Sequence, residues 1–251
     1  MMAYSAPRLD RRALLTGLVV APAVLSFGRA QAGGAYLFPL GVASGDPAPD
    51  GFVLWTRLAA DPLAADGLGG LDAAIPVRWE VAADDQFRRI VAAGETLASR
   101  EAAHSVHVEV AGLSPHRPYW YRFTAQGQQS PTGRALTTPA PNAAADRLRL
   151  AVASCSHWER GYFSAYGHMA DEAPDMTLFL GDYIYEYTLL PGRAAEVVRP
   201  YNLEEATTLA GYRNRYALHK TDANLQRLHA VAPCVAVWDD HEIQDDYSGV
   251  W

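Results

Sequence analysis

Residues 175–187 read DMTLFLGDYIYEY, and this stretch decides the fold of the second half of the chain. It opens as a short apolar run of the kind that fills a buried parallel strand. Gly181 ends the run, and Asp182, Tyr183, Tyr185, Glu186 and Tyr187 follow at once. A core strand gains nothing from so many polar groups. A carboxylate and a phenol three residues apart, where a strand runs out, point instead to a ligand site. A carboxylate can bridge two metal ions, and a phenolate is a hard anionic donor that suits Fe³⁺. The plainer reading makes Asp182 a turn cap and Tyr185 interface packing.

Two further segments resemble this one. RLRLAVASC (147–155) is a strand that becomes fully apolar and runs into SCSHW (154–158). CVAVWDD (234–240) is another, running into WDDHE (238–242). Helical patterns lie between them: YFSAYGHMADEA (162–173), stopped by Pro174, and a segment from about 204 to 230. Strand, helix, strand, helix, strand predicts a parallel sheet in an α/β layer. Ligands bind at the carboxyl ends of such strands, so the three clusters are expected to converge. Asp240 offers a metal carboxylate, and His241 can protonate a leaving oxygen or hold a phosphoryl oxygen. Asp245 and Asp246 can add an oxygen ligand for a hard cation such as Ca²⁺, or form a solvated surface. Asp239 can brace the loop. His157 and Glu159 are supporting candidates, Tyr183 and Tyr187 read as packing, and Glu186 has no role in this reading. Cys155 can be a thiolate ligand, whereas Cys234 reads as packing; a disulfide between them is the alternative.

Upstream, FVLWTRL (52–58), VRWEVAA (77–83), HSVHVEV (104–110) and YWYRFTA (119–125) are short alternating runs separated by turn residues. That spacing predicts a β-sandwich over 36–138. GLSPHRPYWYRF (112–123) resembles the tyrosine corner of fibronectin type III-like sandwiches. TTPAPNAAAD (137–146) reads as a linker. The expected architecture is therefore β plus α/β: an N-terminal fibronectin type III-like sandwich, then α/β strands from 147 to 251.

The chain has 251 residues, is 49% hydrophobic and carries a formal net charge of −7, which argues against nucleic acid as a main partner. Residues 1–32 read as a signal peptide: Arg8, Arg11 and Arg12 precede a short apolar run broken by Pro22, and Ala30-Gln31-Ala32 forms a cleavage site. The paired arginines in LDRRALL predict the twin-arginine export machinery as a partner and a periplasmic or secreted location.

On the stretches FPLGVASGDPAPDGFVLWTRL (38–58), VASCSHWERGYFSAYGHMADEAPDMTLFLGDYIYEY (152–187) and YRNRYALHKTDANLQRLHAVAPCVAVWDDHEIQDDY (212–247), the chain resembles the PhoD-like alkaline phosphatases of the calcineurin-like metallophosphoesterase superfamily. The resemblance implies twin-arginine export, Fe³⁺ and Ca²⁺ as cofactors, and hydrolysis of phosphate mono- and diesters. It implies Cys155 and Tyr185 as iron ligands and Asp182 as the metal bridge. Asp240 and His241 stand where related enzymes carry an Asn-His pair, and Asp245 stands where family members often have asparagine. The Gly-Asp-x-x-Tyr spacing is also similar to that of purple acid phosphatases. Family members continue well beyond the position of Trp251 and add late histidine and aspartate ligands. The sequence therefore reads as the sandwich plus the first half of a metallophosphatase domain, a C-terminally truncated fragment.

The expected reaction is two-metal phosphoryl hydrolysis: water made acidic by the metals loses a proton and attacks phosphorus in line as hydroxide, and His241 assists the leaving group. The rivals are a phospholipase D-type phosphodiesterase on the same scaffold and an inactive fragment acting at most as a binding module.

Overall fold

The computed structural model describes residues 34–189 and 191–247. The export segment expected over 1–32 lies outside them, and no helix of the described residues is long and apolar enough to cross a membrane. In the first part the strands are β1 (Val42–Ala48), β2 (Gly51–Arg57), β3 (Ile75–Ala82), β4 (Ile90–Ala98), β5 (Ser105–Val110), β6 (Pro118–Ala125), β7 (Gln128–Gln129) and β8 (Gly133–Leu136). The second part contains β9 (Leu150–Ala153), α1 (Ser164–Asp171), β10 (Met176–Leu180), α2 (Leu209–Lys220), α3 (Ala223–Val231) and β11 (Cys234–Val237).

The first part folds as two sheets. β5, β2 and β1 pair antiparallel in that order, and β4, β3 and β6 form the other sheet, with β7 and β8 both on β6. Alternation decides which side chains face in. Val106, Val108 and Val110 on β5 meet Tyr119, Tyr121 and Phe123 on β6 in one shared core. At the corner, the Tyr119 hydroxyl accepts from Ser114 N at 2.9 Å.

The second part forms the expected parallel sheet, with β10 between β9 and β11. α1 and α3 pack together, and Tyr166, Leu225 and Leu228 enclose Phe179 of β10 in the core. The segment expected as one helix from about 204 to 230 is two helices. Asp222 splits it, because its carboxylate accepts from Asn224 N (2.9 Å) and Leu225 N (3.1 Å) and so caps a new helix. Helices cover only the Phe179 face of this sheet. On the other face, Leu150, Val152, Leu180, Val235 and Val237 remain exposed.

The two parts, expected as separate domains, share a sheet. β11 pairs parallel with β1 at Gly45↔Cys234, which makes the strand order β5-β2-β1-β11-β10-β9. The chain from Gly34 onward is one compact unit. Glycine permits the join: a Cβ on Gly45 would sit 2.9 Å from the Cys234 carbonyl oxygen. Pairing also satisfies backbone groups that a bare β1 edge would leave open. Side chains reinforce it, with Gln226 Nε2 donating to Pro39 O at 2.7 Å and Arg134 Nη1 donating to Val231 O at 3.0 Å.

Candidate metal centre

The loops leaving β9, β10 and β11 meet at one end of the parallel sheet. Cys155 N donates to Gly181 O at 3.3 Å and Ser156 N to Asp182 O at 2.9 Å, which ties the first two loops together. Both turns use left-handed backbone: φ is +55° at Cys155, +85° at Gly181 and +50° at Asp182. Glycine is needed at 181 twice over, because a Cβ there would lie 2.5 Å from the Asp239 Cβ. Non-glycine residues held at positive φ next to a polar cluster mark a site over-determined by its surroundings.

Asp182 sits at the centre and is buried. Tyr185 donates its hydroxyl to Asp182 Oδ2 at 2.9 Å, whereas Oδ1 is buried with no partner. A buried carboxylate oxygen with nothing to accept from is costly unless a cation meets it. One ligand atom each from Asp182, Asp240 and His241 lies within 4.8 Å of the others, and Asp240, Asp245 and Asp246 form a second such group. Among the described residues, no lysine or arginine forms an ion pair with any of these carboxylates. Such a set of hard oxygen donors around one imidazole fits divalent or trivalent cations.

The other candidates lie around this centre. Burial pushes the Tyr185 phenol well above its ordinary value, and Asp182 and Cys155 push it further. Cys155 is exposed, on the loop that follows β9. Asp245 is exposed, with Oδ1 3.7 Å from His241 Nε2. The backbone N–H of Asp246 donates to Asp240 Oδ2 at 2.7 Å and is the main cause holding the Asp240 carboxyl below the usual carboxylate range. Both cysteines are free. The alternative of a disulfide fails because Cys155 follows the end of β9, whereas Cys234 begins β11, at the opposite end of the parallel sheet.

Two buried glutamates organise the loops. Glu186, without a role in the sequence reading, accepts from His241 Nδ1 at 3.0 Å and from Asp245 N at 2.7 Å. Burial opposes charge on His241, but the Glu186 bond and charge, with Asp182 and Asp240, raise its pKa above the ordinary value. Nδ1 is thereby committed, and Nε2 is left to act. Glu242 braces the loops instead of Asp239, accepting from Asp182 N (3.2 Å), Tyr183 N (2.5 Å) and Asp239 N (2.7 Å). The position of Glu242 beside His241 was a usable signal; the reach of Glu186 across the fold had none. His157 packs its ring 4.4 Å from Tyr185. Burial, then the charges of Arg160 and His241, lower its pKa to about 4, so it stays neutral. Glu159 is structural, accepting from Leu189 N at 2.6 Å.

Comparison with known proteins follows the same division. Residues 23–139 match the family model for the PhoD-like phosphatase N-terminal domain, and residues 150–250 match that for PhoD-like phosphatase. Alkaline phosphatase D of Bacillus subtilis (strain 168) is 48% identical over 240 residues, which is 94% of this chain and 40% of that protein. A solved structure of PhoD superposes with a TM-score of 0.81 at 50% identity, covering 85% of this chain and 41% of the other. The chain thus spans about two fifths of the length of these relatives.

Proposed function

The chain belongs to the PhoD-like phosphatase family, and from that premise we propose that it serves an exported, metal-dependent phosphoric ester hydrolase acting on phosphate mono- and diesters. The observation that carries the metal dependence is the buried, unpartnered Oδ1 of Asp182 beside Asp240 and His241. Asp182 is proposed as the shared metal carboxylate, Cys155 and Tyr185 as further ligands of an Fe³⁺ ion, and Asp240 and Asp245 as ligands on the Ca²⁺ side. Bound there, such cations supply Lewis acidity toward a phosphoryl oxygen and lower the pKa of water.

The protein's own groups do the rest. Glu186 holds His241 by Nδ1, which leaves Nε2, 3.7 Å from Asp245 Oδ1, as the donor to a phosphoryl or leaving oxygen. The Glu186 hydrogen bond and charge favour the protonated form of His241. Glu242 fixes the backbone at Asp182 and Asp239, so the neighbouring carboxylates are held in place for cations without reorganising. The exported location rests on the paired arginines and apolar run of residues 8–32. The strand order β5-β2-β1 against β4-β3-β6-β8 supports reading the first part as a fibronectin type III-like sandwich.

Metal analysis of the purified chain tests the assignment. Iron at about one per chain is expected, with loss of that iron in Asp182→Asn while the fold is retained by circular dichroism. A metal-free chain, or an Asp182→Asn variant that keeps its iron, overturns it.

A further inference from the structure

One cavity of about 650 Å³ lies between β1, β2, β5 and α2, and a second of about 520 Å³ is lined from β10, α2, α3, β11 and the loops that follow β10 and β11. They share Tyr216, Lys220, His229 and Cys234, so they meet at the Lys220 side chain. That side chain ends over two aromatic faces, with Nζ 4.4 Å from the Trp55 ring centroid and 5.3 Å from that of Tyr183. Its hydrogen bond is to the Tyr183 hydroxyl at 3.3 Å. Among the described residues, no carboxylate pairs with it. Part of its surface stays free toward the cavities, although protein surrounds it. A cation held inside a fold by aromatic faces, with no counter-ion, is costly unless something supplies one.

We propose that these joined cavities form a second ligand site, distinct from the metal-binding carboxylates, which takes an amphipathic monoanion: its negative head on Lys220 and its apolar tail in the smaller cavity, along Tyr216, Phe179 and Ala236. The walls favour such a ligand, because most of the lining is carbon from Leu40, Val53, Phe179 and Val237. Asp46 also lines the larger cavity, which favours a single negative charge over a dianion. Burial lowers the Lys220 amine to about 8, so at neutral pH it is still a cation awaiting an anion. The site touches the metal loop through Tyr183, whose side chain meets Lys220 and whose N–H is held by Glu242.

Calorimetry and thermal unfolding of the chain with octanoate, without added metal, test this independently of phosphatase activity. Octanoate is expected to bind and raise Tm, while acetate (head alone) and octan-1-ol (tail alone) bind at least about tenfold more weakly. Lys220→Met removes the charge at similar volume. It is expected to weaken octanoate binding about tenfold or more while leaving Tm unchanged or higher, since an uncompensated buried charge is gone. Lys220→Arg is expected to retain binding. If Lys220→Met unfolds, Ala236→Phe reads out the same site, because it fills the smaller cavity from β11 and is expected to block the tail. No octanoate binding, equal binding of acetate, or undiminished binding in Lys220→Met or Ala236→Phe overturns the proposal.

Discussion

The two parts of the molecule bury different things. Between β1 and β8 the interior is mostly apolar, and Arg57 and His104 are its only buried Asp, Glu, Lys, Arg or His side chains among the described residues. Arg57 is satisfied by the carbonyls of Ala103 (2.9 Å) and Gly67 (2.8 Å). From β9 onward, the buried set includes His157, Glu159, Asp182, Glu186, Arg215, His219, His229, His241 and Glu242. Several of their atoms have no partner, among them Asp182 Oδ1, His157 Nε2 and His229 Nδ1. The first part therefore gains stability from packing, whereas the second gives some of it up to hold groups in position.

The sharpest break in that contrast comes from Phe123→Ala, in the sandwich core. Phe123 is fully buried, so its truncation is expected to cost about 3–5 kcal/mol. Because β1 and β11 share a sheet, both parts should unfold together in one shifted transition. Two separate transitions in urea, followed by tryptophan fluorescence and by far-ultraviolet circular dichroism, would show that the join at Gly45 does not couple them.

Glu186→Gln probes the second part at smaller cost. The variant cannot accept from both His241 Nδ1 and Asp245 N with a carboxylate's strength. Metal affinity is expected to fall about 10–100-fold, as for other groups that orient a site, while Tm changes little. Unchanged affinity by metal titration would make Glu186 a packing residue.

The mildest effect is on pH dependence. Burial first, then Arg215 and Arg199, hold His219 well below 6.5, and burial with Lys220 does the same to His229. An unfolded chain protonates both near pH 6.5, whereas the folded chain does not. Stability should therefore hold above that pH and decline below it, by at most about 1.4 kcal/mol per pH unit for each histidine, with the lowered His157 adding to the decline and the raised His241 opposing it. A flat Tm between pH 7 and 5 would contradict the buried, neutral state of both. Phe123→Ala should shift that whole curve without changing its slope, since its site holds no titrating group.

Much of the fold was legible because local pattern and burial agree. The four alternating runs between 52 and 125 appear as β2, β3, β5 and β6 within two residues at each end. β1 was not legible: its sequence VASGDPA carries the glycine, aspartate and proline of a turn, and only pairing to β2 and β11 makes it a strand. β4 (IVAAGETLA) was missed as well, since its apolar ends, Ile90, Val91 and Leu97, are exposed and its centre, Ala92-Ala93-Gly94, is small. At the site, Asp182, Asp240 and His241 stood out because polar residues at the ends of apolar strands have few other uses. Glu186 could not be assigned, because its partners lie 55 and 59 residues away.

Sequence alone determined the period of each strand and helix, the turn that places Asp182 where β10 ends, and the chemical types gathered there. These are local properties, set by backbone sterics and side-chain alternation within a few residues. Tertiary structure decided which groups pair. It joined the two parts through Gly45 and Cys234, turned His241 onto Glu186, left Asp182 Oδ1 bare, and set Lys220 among aromatic rings without a counter-ion. Those outcomes depend on distances between segments far apart in the chain, and only packing of the whole unit sets them.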